Sequence, residues 1–193
     1  MKGAFIVFEG IDGTGKSSVC TAVSESLSRL GYDAVTTYEP TPGPIGSLVR
    51  SEGFGPLAEA LLFAADRAEH TVWVMGRVRE GKVVLCDRYF ASSLAYQSAA
   101  GADPGWIRGI NAPGMVEPDL TILMDAPVSV GMGRVGFRGE ATRFEDPGYL
   151  EKVRSAYLDY ARETGCAVLD ATAPEAEVAE RALKLVLGLL EGI

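Results

Sequence analysis

The sequence predicts an α/β protein in which helices cover both faces of a five-stranded parallel sheet, a three-layer α/β/α fold with a short mobile lid. Short apolar, partly β-branched runs alternate with longer amphipathic segments, which is the pattern of βαβ units. The first of these runs leads into a glycine-rich turn and then into a helix. All of the runs end in or beside an acidic residue, as is typical where parallel strands meet a binding site.

The first predicted strand is Ala4–Phe8, and a glycine-rich segment follows it directly. Residues 10–17, Gly-Ile-Asp-Gly-Thr-Gly-Lys-Ser, fit the P-loop pattern of a glycine, four free positions, glycine, lysine and serine or threonine. After Lys16, apolar residues recur at helical spacing up to Gly31, which lies where a helix would end. Strand, glycine-rich turn and helix are the context that a P-loop requires.

A P-loop implies phosphate binding by backbone amides at a helix N-terminus. Lys16 is placed to reach the β- and γ-phosphates, and the Ser17 hydroxyl to ligate Mg²⁺. The predicted phosphate-binding residues are Gly10, Gly13, Thr14, Gly15, Lys16, Ser17 and Ser18.

The rest of the chain divides into further strands and helices. The predicted strands are 32–38, 83–87, 120–125 and 167–170, and the predicted helices are 57–78, 91–100 and 175–190. A loop rich in proline and glycine is predicted from Pro40 to Gly46. Asp87 ends an apolar strand in the manner of a Walker B acid, which would hold Mg²⁺ together with Ser17. A helix N-cap or a partner for a neighbouring arginine is the alternative role for Asp87.

Composition limits the classes of function. A chain of 193 residues is typical of one domain, here residues 1–193, or of one domain with an inserted lid. The net charge of −8 argues against a nucleic-acid partner. No apolar run reaches the length of a membrane span, and Met1 is followed at once by the first strand. Three widely spaced cysteines indicate free thiols, so we expect a cytoplasmic protein with no membrane partner.

A glycine-rich segment between residues 131 and 145 is the predicted lid. Arg134 and Arg138 are four residues apart and would share a helix face, and Arg143 follows. The four glycines between 131 and 139 each cost a helix about 1 kcal/mol relative to alanine. The segment is therefore predicted to lie between order and disorder and to close when its arginines meet phosphate.

Two further sets of residues indicate a pocket for a base. Phe63 and Arg67 lie four apart on one helix face, where a ring and a guanidinium could stack on a base and donate to its edge. Residues 87–97, Asp-Arg-Tyr-Phe-Ala-Ser-Ser-Leu-Ala-Tyr-Gln, carry hydroxyl, amide and phenol groups from a strand end into a helix.

Together these motifs resemble the thymidylate kinase family, in family order from residue 4 to about residue 172. The matching segments are Phe8 to Lys16, Leu62 to Arg67, Asp87 to Gln97, Pro118 to Asp125, and Arg143 to Glu145. The resemblance implies a single P-loop kinase domain that transfers the γ-phosphoryl group of ATP to dTMP, with Mg²⁺, as a homodimer. Some members of the family carry a basic residue inside the P-loop, whereas this chain has Gly13 and Thr14 there. The resemblance implies that Arg138 of the lid supplies the arginine instead.

The resemblance also implies a role for each matching residue. Asp12 would contact the 3′-hydroxyl of the deoxyribose, and Arg88 would bind the acceptor phosphate. Phe63 would stack on thymine, and Arg67 would donate to its O4. The remaining roles fall to Ser93 and Gln97 at the base edge, Tyr96 near C2′, and Arg134 and Arg138 on the transferring phosphates. Arg50 is the candidate for a dTMP-binding arginine that family members carry near the loop after the second strand or in the helix that follows.

Two other functions fit part of the pattern. A deoxynucleoside kinase needs a carboxylate base because its acceptor is a hydroxyl group, and Glu39 at a strand end could provide it. A non-catalytic nucleotide-binding regulator would keep the P-loop but need not keep the lid arginines.

Overall fold

The structure is a computed structural model that describes residues 2–51, 53–135 and 146–192. Five strands form one sheet: β1 (Ala4–Glu9), β2 (Ala34–Tyr38), β3 (Val83–Asp87), β4 (Leu120–Asp125) and β5 (Ala167–Asp170). Every pairing is parallel, and the strand order is β2-β3-β1-β4-β5. The predicted five-stranded parallel sheet is confirmed.

Eight helices lie within the described residues, and they connect the strands. They are α1 (Lys16–Arg29), α2 (Pro44–Arg50), α3 (Pro56–Arg79), α4 (Phe90–Ala99), α5 (Pro104–Asn111), α6 (Val128–Val135), α7 (Pro147–Thr164) and α8 (Glu175–Glu191). A 3₁₀ turn, Ala112–Gly114, follows α5. None of the helices in this part of the chain is long and apolar enough to cross a membrane.

A hydrophobic core lies on each side of the sheet. Alternate residues of β1 face opposite ways: Phe5 and Val7 pack with α3, α4, α5 and α7, whereas Ile6 and Phe8 pack with α1 and α8. The central strand β1 is buried along its whole length because helices cover both of its faces. The end of β1, where the P-loop begins, is therefore held firmly between β3 and β4.

The predicted elements differ from the structure mainly at their ends. The strand predicted from Tyr32 begins at Ala34, because the Tyr32 amide still donates to Leu27 O at 3.0 Å and closes the end of α1. The loop predicted from Pro40 to Gly46 is partly helical, since α2 begins at Pro44, where a missing amide proton costs nothing.

Helices α5 and α7 were not predicted, although the sequence carries a signal for both. Asp103 accepts from the amide of Trp106 at the start of α5, and Asp146 accepts from that of Tyr149 at the start of α7. Each aspartate is followed by a proline at the first helical position. An Asp-Pro pair of this kind is a helix start signal.

Candidate active site

Two adjoining cavities lie at the carboxyl edge of the sheet, and they share three residues. The larger, about 640 Å³, is lined by the P-loop, the start of α1 and the ends of β2 and β3. The smaller, about 190 Å³, lies between α3 and α4. Asp12, Glu39 and Arg88 belong to the walls of both, so two ligands could meet there.

The larger cavity has the features of a phosphate site. Gly13, Gly15, Lys16, Ser17 and Ser18 all line it, as the motif predicted. Gly13 and Gly15 have φ angles of 80° and 82°, a left-handed conformation that lets the loop curl and that glycine adopts without strain. The loop leads into the N-terminus of α1, whose dipole favours an anion.

Lys16 is buried within the P-loop, and its Nζ donates to Ile11 O at 2.9 Å. Burial, together with the nearby charge of Arg88, lowers the pKa of Lys16 to about 8. A phosphate beside the ammonium group would favour its charged form again.

Ser17 and Asp87 lie together, as predicted for a metal site. The Ser17 hydroxyl donates to Asp87 Oδ2, and Asp87 Oδ1 is buried with no hydrogen-bond partner among the described residues. Two oxygen ligands beside a phosphate site fit Mg²⁺, which takes one or two protein ligands and completes its shell with phosphate and water. The described residues contain no cluster of three or more His, Cys, Asp or Glu able to hold a metal.

Arg88 stands between the two cavities on an unusual backbone. Its φ of 71° is left-handed, which is uncommon for a residue other than glycine. Its guanidinium donates to Asp12 at 2.8 Å and to Ser92 and Tyr157 at 3.1 and 3.2 Å. It also lies over the Tyr96 ring, 5.1 Å from the centroid.

Glu9 supports this arrangement from below. It is 1% exposed and accepts hydrogen bonds from the amides of Tyr89 and Ser92 and from the hydroxyls of Ser92 and Tyr157. Burial raises the pKa of Glu9 above its ordinary value, although these hydrogen bonds act in the opposite direction. Glu9, Ser92 and Tyr157 thus form a layer beneath Arg88, and sequence analysis assigned none of them to the site.

The smaller cavity collects the residues that the resemblance assigned to the base and sugar. Asp12, Phe63, Arg67, Ser93, Tyr96 and Gln97 all line it, together with Arg88. Two of its lining residues each carry a buried polar atom with no hydrogen-bond partner among the described residues: Arg67 Nε and Gln97 Oε1. One is a donor and the other an acceptor.

Glu39 is already engaged, which bears on its predicted alternative role as a base. Its Oε2 accepts from Arg67 at 2.7 Å, and its Oε1 lies 2.9 Å from His70 Nδ1. A carboxylate held by two partners is not placed to remove a proton from a hydroxyl group.

Three predicted site arginines have different outcomes: Arg50 lies away from both cavities, Arg134 lines the larger one, and Arg138 lies outside the described residues. Arg50 donates to the carbonyls of Pro40 and Thr41, both at 2.7 Å, and lines neither cavity. Arg134 donates to Ala171 O at 2.7 Å and to Gly13 O at 3.4 Å, on the wall of the larger cavity. Arg138, with Arg143 and most of the predicted lid of residues 131–145, lies outside the described residues.

A third cavity, about 170 Å³, lies on the other side of the P-loop. Thr14, Gly15, Val19, Met124 and Val178 contribute to its walls, and so does Arg134. It is therefore a slot of mixed polarity beside the phosphate loop, and Glu175 and Arg134 bring charged groups to its walls.

A P-loop at the end of a central strand, a serine–aspartate pair beside it and an adjoining acceptor cavity define a P-loop kinase. Comparison with known proteins gives the particular family. A model of the family described as thymidylate kinase matches residues 8–182.

Curated relatives agree with that match. The chain is 41% identical to a probable thymidylate kinase of Pyrobaculum aerophilum, over 95% of this chain and 96% of the relative. It is 45% identical to one of Pyrococcus horikoshii, over 83% and 84%. It is 38% identical to one of Sulfurisphaera tokodaii, over 97% of each. The chain belongs to the thymidylate kinase family, as its motifs predicted.

Proposed function

We propose that this protein transfers the γ-phosphoryl group of ATP to dTMP and releases ADP and dTDP. The observation that carries the substrate assignment is the pair of unpartnered atoms in the smaller cavity. Thymine O4 accepts a hydrogen bond, as Arg67 Nε–H requires, and thymine N3–H donates one, as Gln97 Oε1 requires. Cytosine presents the opposite groups, an amino donor at position 4 and an acceptor at N3.

The remaining residues of the smaller cavity would hold the rest of dTMP. Phe63 offers a ring for stacking on the base. Ser93 orients Arg67, whose Nη2 donates to the Ser93 hydroxyl at 2.9 Å. Asp12 would meet the 3′-hydroxyl of the sugar, Tyr96 would pack near C2′, and Arg88 would bind the acceptor phosphate where the two cavities join.

The chemistry needs positioning and charge stabilisation rather than a base. The acceptor is a phosphate monoester with a second pKa near 6, so its oxygen is mostly deprotonated at pH 7. That oxygen attacks the γ-phosphorus as the bond to the β-bridging oxygen breaks. Lys16 and Arg88 flank the path of transfer and would stabilise the charge that develops there.

Mg²⁺ held by Ser17 and Asp87 would neutralise charge on the β- and γ-phosphate oxygens of ATP.

We assign the adenine base of ATP to the third cavity, where its flat ring could stack against the Arg134 guanidinium. The closing lid of residues 131–145, with Arg138 on the transferring phosphate, stays a prediction.

We also place the protein in the cytoplasm, because Cys20, Cys86 and Cys166 are free thiols.

We further propose a homodimer that uses the outer face of α3. Leu57 and Leu61 are one turn apart, and Val72 follows about three turns later on the same face. All three are exposed, as is Trp73 beside Val72. A row of exposed apolar side chains on one helix face is typical of an interaction surface.

An ADP-release assay with Mg·ATP and one acceptor at a time tests the activity. The acceptors are dTMP, dUMP, UMP, CMP, AMP and thymidine. We expect dTMP to be preferred, and dUMP, which lacks one methyl group, to retain activity lower by about 10- to 200-fold. CMP should be rejected far more strongly, because it leaves Arg67 and Gln97 unpaired. Turnover of thymidine without dTMP would contradict the proposal, and so would ATP binding with no turnover.

A further inference from the structure

We propose that His70 is a positioning residue for nucleobase recognition: through Glu39 it fixes the guanidinium of Arg67 so that Nε–H is presented to position 4 of the base. This inference rests on the proposed function and deepens it, because it names a determinant of base choice that does not touch the base. His70 is absent from the walls of the three cavities described above.

The terminal nitrogens of Arg67 are all engaged with the protein. Nη1 donates to Asn111 Oδ1, while Nη2 lies 2.7 Å from Glu39, 2.9 Å from Ser93 and 3.0 Å from Tyr89 O. The residue is 1% exposed, and only Nε lacks a partner among the described residues. The protein thus holds one end of the guanidinium and leaves one donor to a ligand.

Glu39 is the one charged partner in this set, and its own position depends on His70. The carboxylate is 5% exposed and directly precedes Pro40 at the end of β2. Oε2 accepts from Arg67, and Oε1 lies 2.9 Å from His70 Nδ1. A buried ion pair is stable only when the remaining lone pairs also find donors, so the second oxygen needs His70.

His70 is in turn fixed from its other side. A carboxylate only accepts, so Nδ1 donates to Glu39, and Nε2 lies 2.8 Å from Thr37 Oγ1, a hydroxyl that can either donate or accept. The Trp73 ring stacks on the imidazole, with centroids 6.1 Å apart and planes at 19°. The chain of contacts runs Thr37, His70, Glu39, Arg67, and its three contacts join β2 and the residue after it to α3.

The test compares two acceptors that differ at the base edge alone. dTMP and 5-methyl-dCMP share sugar, phosphate and methyl group, but one has a carbonyl and the other an amino group at position 4. In the wild-type enzyme, kcat/KM should favour dTMP by roughly 10⁴-fold or more, as in sites built to hydrogen-bond one group. The two bases also differ at N3, which faces Gln97 in the proposed function, so the ratio of the two kcat/KM values reports both residues. A change of the ratio in a variant that leaves Gln97 untouched measures how well Arg67 is placed.

His70→Phe keeps a ring beside Trp73 and removes both nitrogens. We expect the ratio to fall about tenfold or more and the KM for dTMP to rise about tenfold, because Glu39 loses a donor. The KM for ATP should not change. His70→Asn, whose amide nitrogen lies near the position of Nδ1, should restore most of the ratio.

Val74→Ala is the matched control. Val74 is fully buried one turn further along α3 and belongs to the hydrophobic core, and it has no polar group that could take part in the chain of contacts from Thr37 to Arg67. The Val74→Ala variant should be less stable than the wild type but keep its ratio of kcat/KM for the two acceptors. This comparison separates the positioning of Arg67 from a general loss of stability in α3.

The outcomes are distinct. A folded His70→Phe variant with the wild-type ratio would overturn the inference while the proposed function stands. If that variant does not fold, Thr37→Val, which removes the partner of Nε2, must lower the ratio, and an unchanged ratio there would overturn the inference as well. A wild-type enzyme that does not distinguish the two acceptors would overturn the proposed function itself.

Discussion

At Arg88 the backbone takes a left-handed turn between β3 and α4, and a buried carboxylate holds that turn in place. The amides of Tyr89 and Ser92, which begin α4, both donate to Glu9 at the end of β1. Left-handed φ costs a residue other than glycine roughly 1–2 kcal/mol. The hydrogen bonds to Glu9 offset that cost and aim the Arg88 guanidinium at the junction of the two cavities.

Replacing Glu9 by glutamine should change how stability depends on pH. The pKa of Glu9 is raised by burial, so the folded state keeps the proton at pH values where the unfolded state has lost it. The stability this contributes is complete below the unfolded pKa of 4.5 and is lost as pH rises through the folded pKa. The glutamine side chain does not titrate, so the stability of the Glu9→Gln variant lacks this decrease with rising pH.

Urea unfolding of both proteins at several pH values upward from 4.5 checks this. The stability of the wild type relative to Glu9→Gln should fall with rising pH, by at most about 1.4 kcal/mol per pH unit. Parallel curves would show that Glu9 does not titrate differently in the two states.

The sequence predicted the residues of the site that belong to local motifs. Lys16, Ser17, Phe63, Arg67, Arg88 and Gln97 were named in advance, and all of them line the cavities. His70, Asn111 and Tyr157 were not, because each is a single polar residue in a helix, and its partner in the site is 31 to 148 positions away, which no local pattern reveals. Arg50 was named, but its guanidinium binds the loop carbonyls beside it.

At the scale of elements, the P-loop and α6 touch through their backbones. A Cβ atom at Gly13 would lie 2.1 Å from Gly131 O, and one at Gly131 would lie 2.5 Å from Asp12 O. The two glycines therefore let the helix that leads toward the predicted lid pack directly on the phosphate loop.

Gly131→Ala should damage nucleotide binding. The added methyl group would overlap the backbone carbonyl of Asp12 rather than the end of a flexible side chain. It can therefore be accommodated only if the backbone of the P-loop shifts. We expect the Kd for Mg·ATP, measured by calorimetry, to rise at least about tenfold and stability to fall by roughly 1–3 kcal/mol.

Gly133→Ala in the same helix is the control. Among the described residues nothing lies within 4 Å of a Cβ atom there. The substitution should preserve the Kd and gain up to about 1 kcal/mol from helix propensity. Unchanged ATP binding in Gly131→Ala would contradict the proposed close packing.

Most elements were predictable for reasons that are visible in particular segments. The strands β3 and β4 were predicted to the residue, because buried parallel strands are continuous apolar runs with sharp ends. β5, at the edge of the sheet and partly exposed, was also predicted to the residue. Helix α7 was missed because its segment, although it buries Leu150, Val153 and Tyr157, also carries many polar residues. Its start at Asp146 and Pro147 is the only local signal.

At the scale of the whole molecule, the two faces of the sheet differ in what they leave exposed. Helix α3 covers one side and carries the exposed row of Leu57, Leu61 and Val72, whereas α1 covers the other. Val72 is 72% exposed, an unusual degree for a valine in a long helix with a well-packed opposite face.

Leu61→Glu should convert a dimer into a monomer. A charged group in the middle of an apolar contact would be buried without a partner, which opposes association. Light scattering coupled to gel filtration measures the mass directly. Leu30→Glu, at an equally exposed leucine at the end of α1 on the other side of the sheet, should leave the mass unchanged. A wild-type monomer would contradict the proposed dimer.

The strand order has a consequence for synthesis of the chain. β1 is made first, but it pairs with β3 and β4 and not with β2, so its first neighbour is complete only at Asp87. At about 5–20 residues per second, the apolar strand from Ala4 to Glu9 must wait roughly 4–16 s for a neighbouring strand. The P-loop, the first functional motif to be translated, is thus among the last to acquire its shape, and a nascent chain that ends before β3 exposes its most apolar strand to other chains.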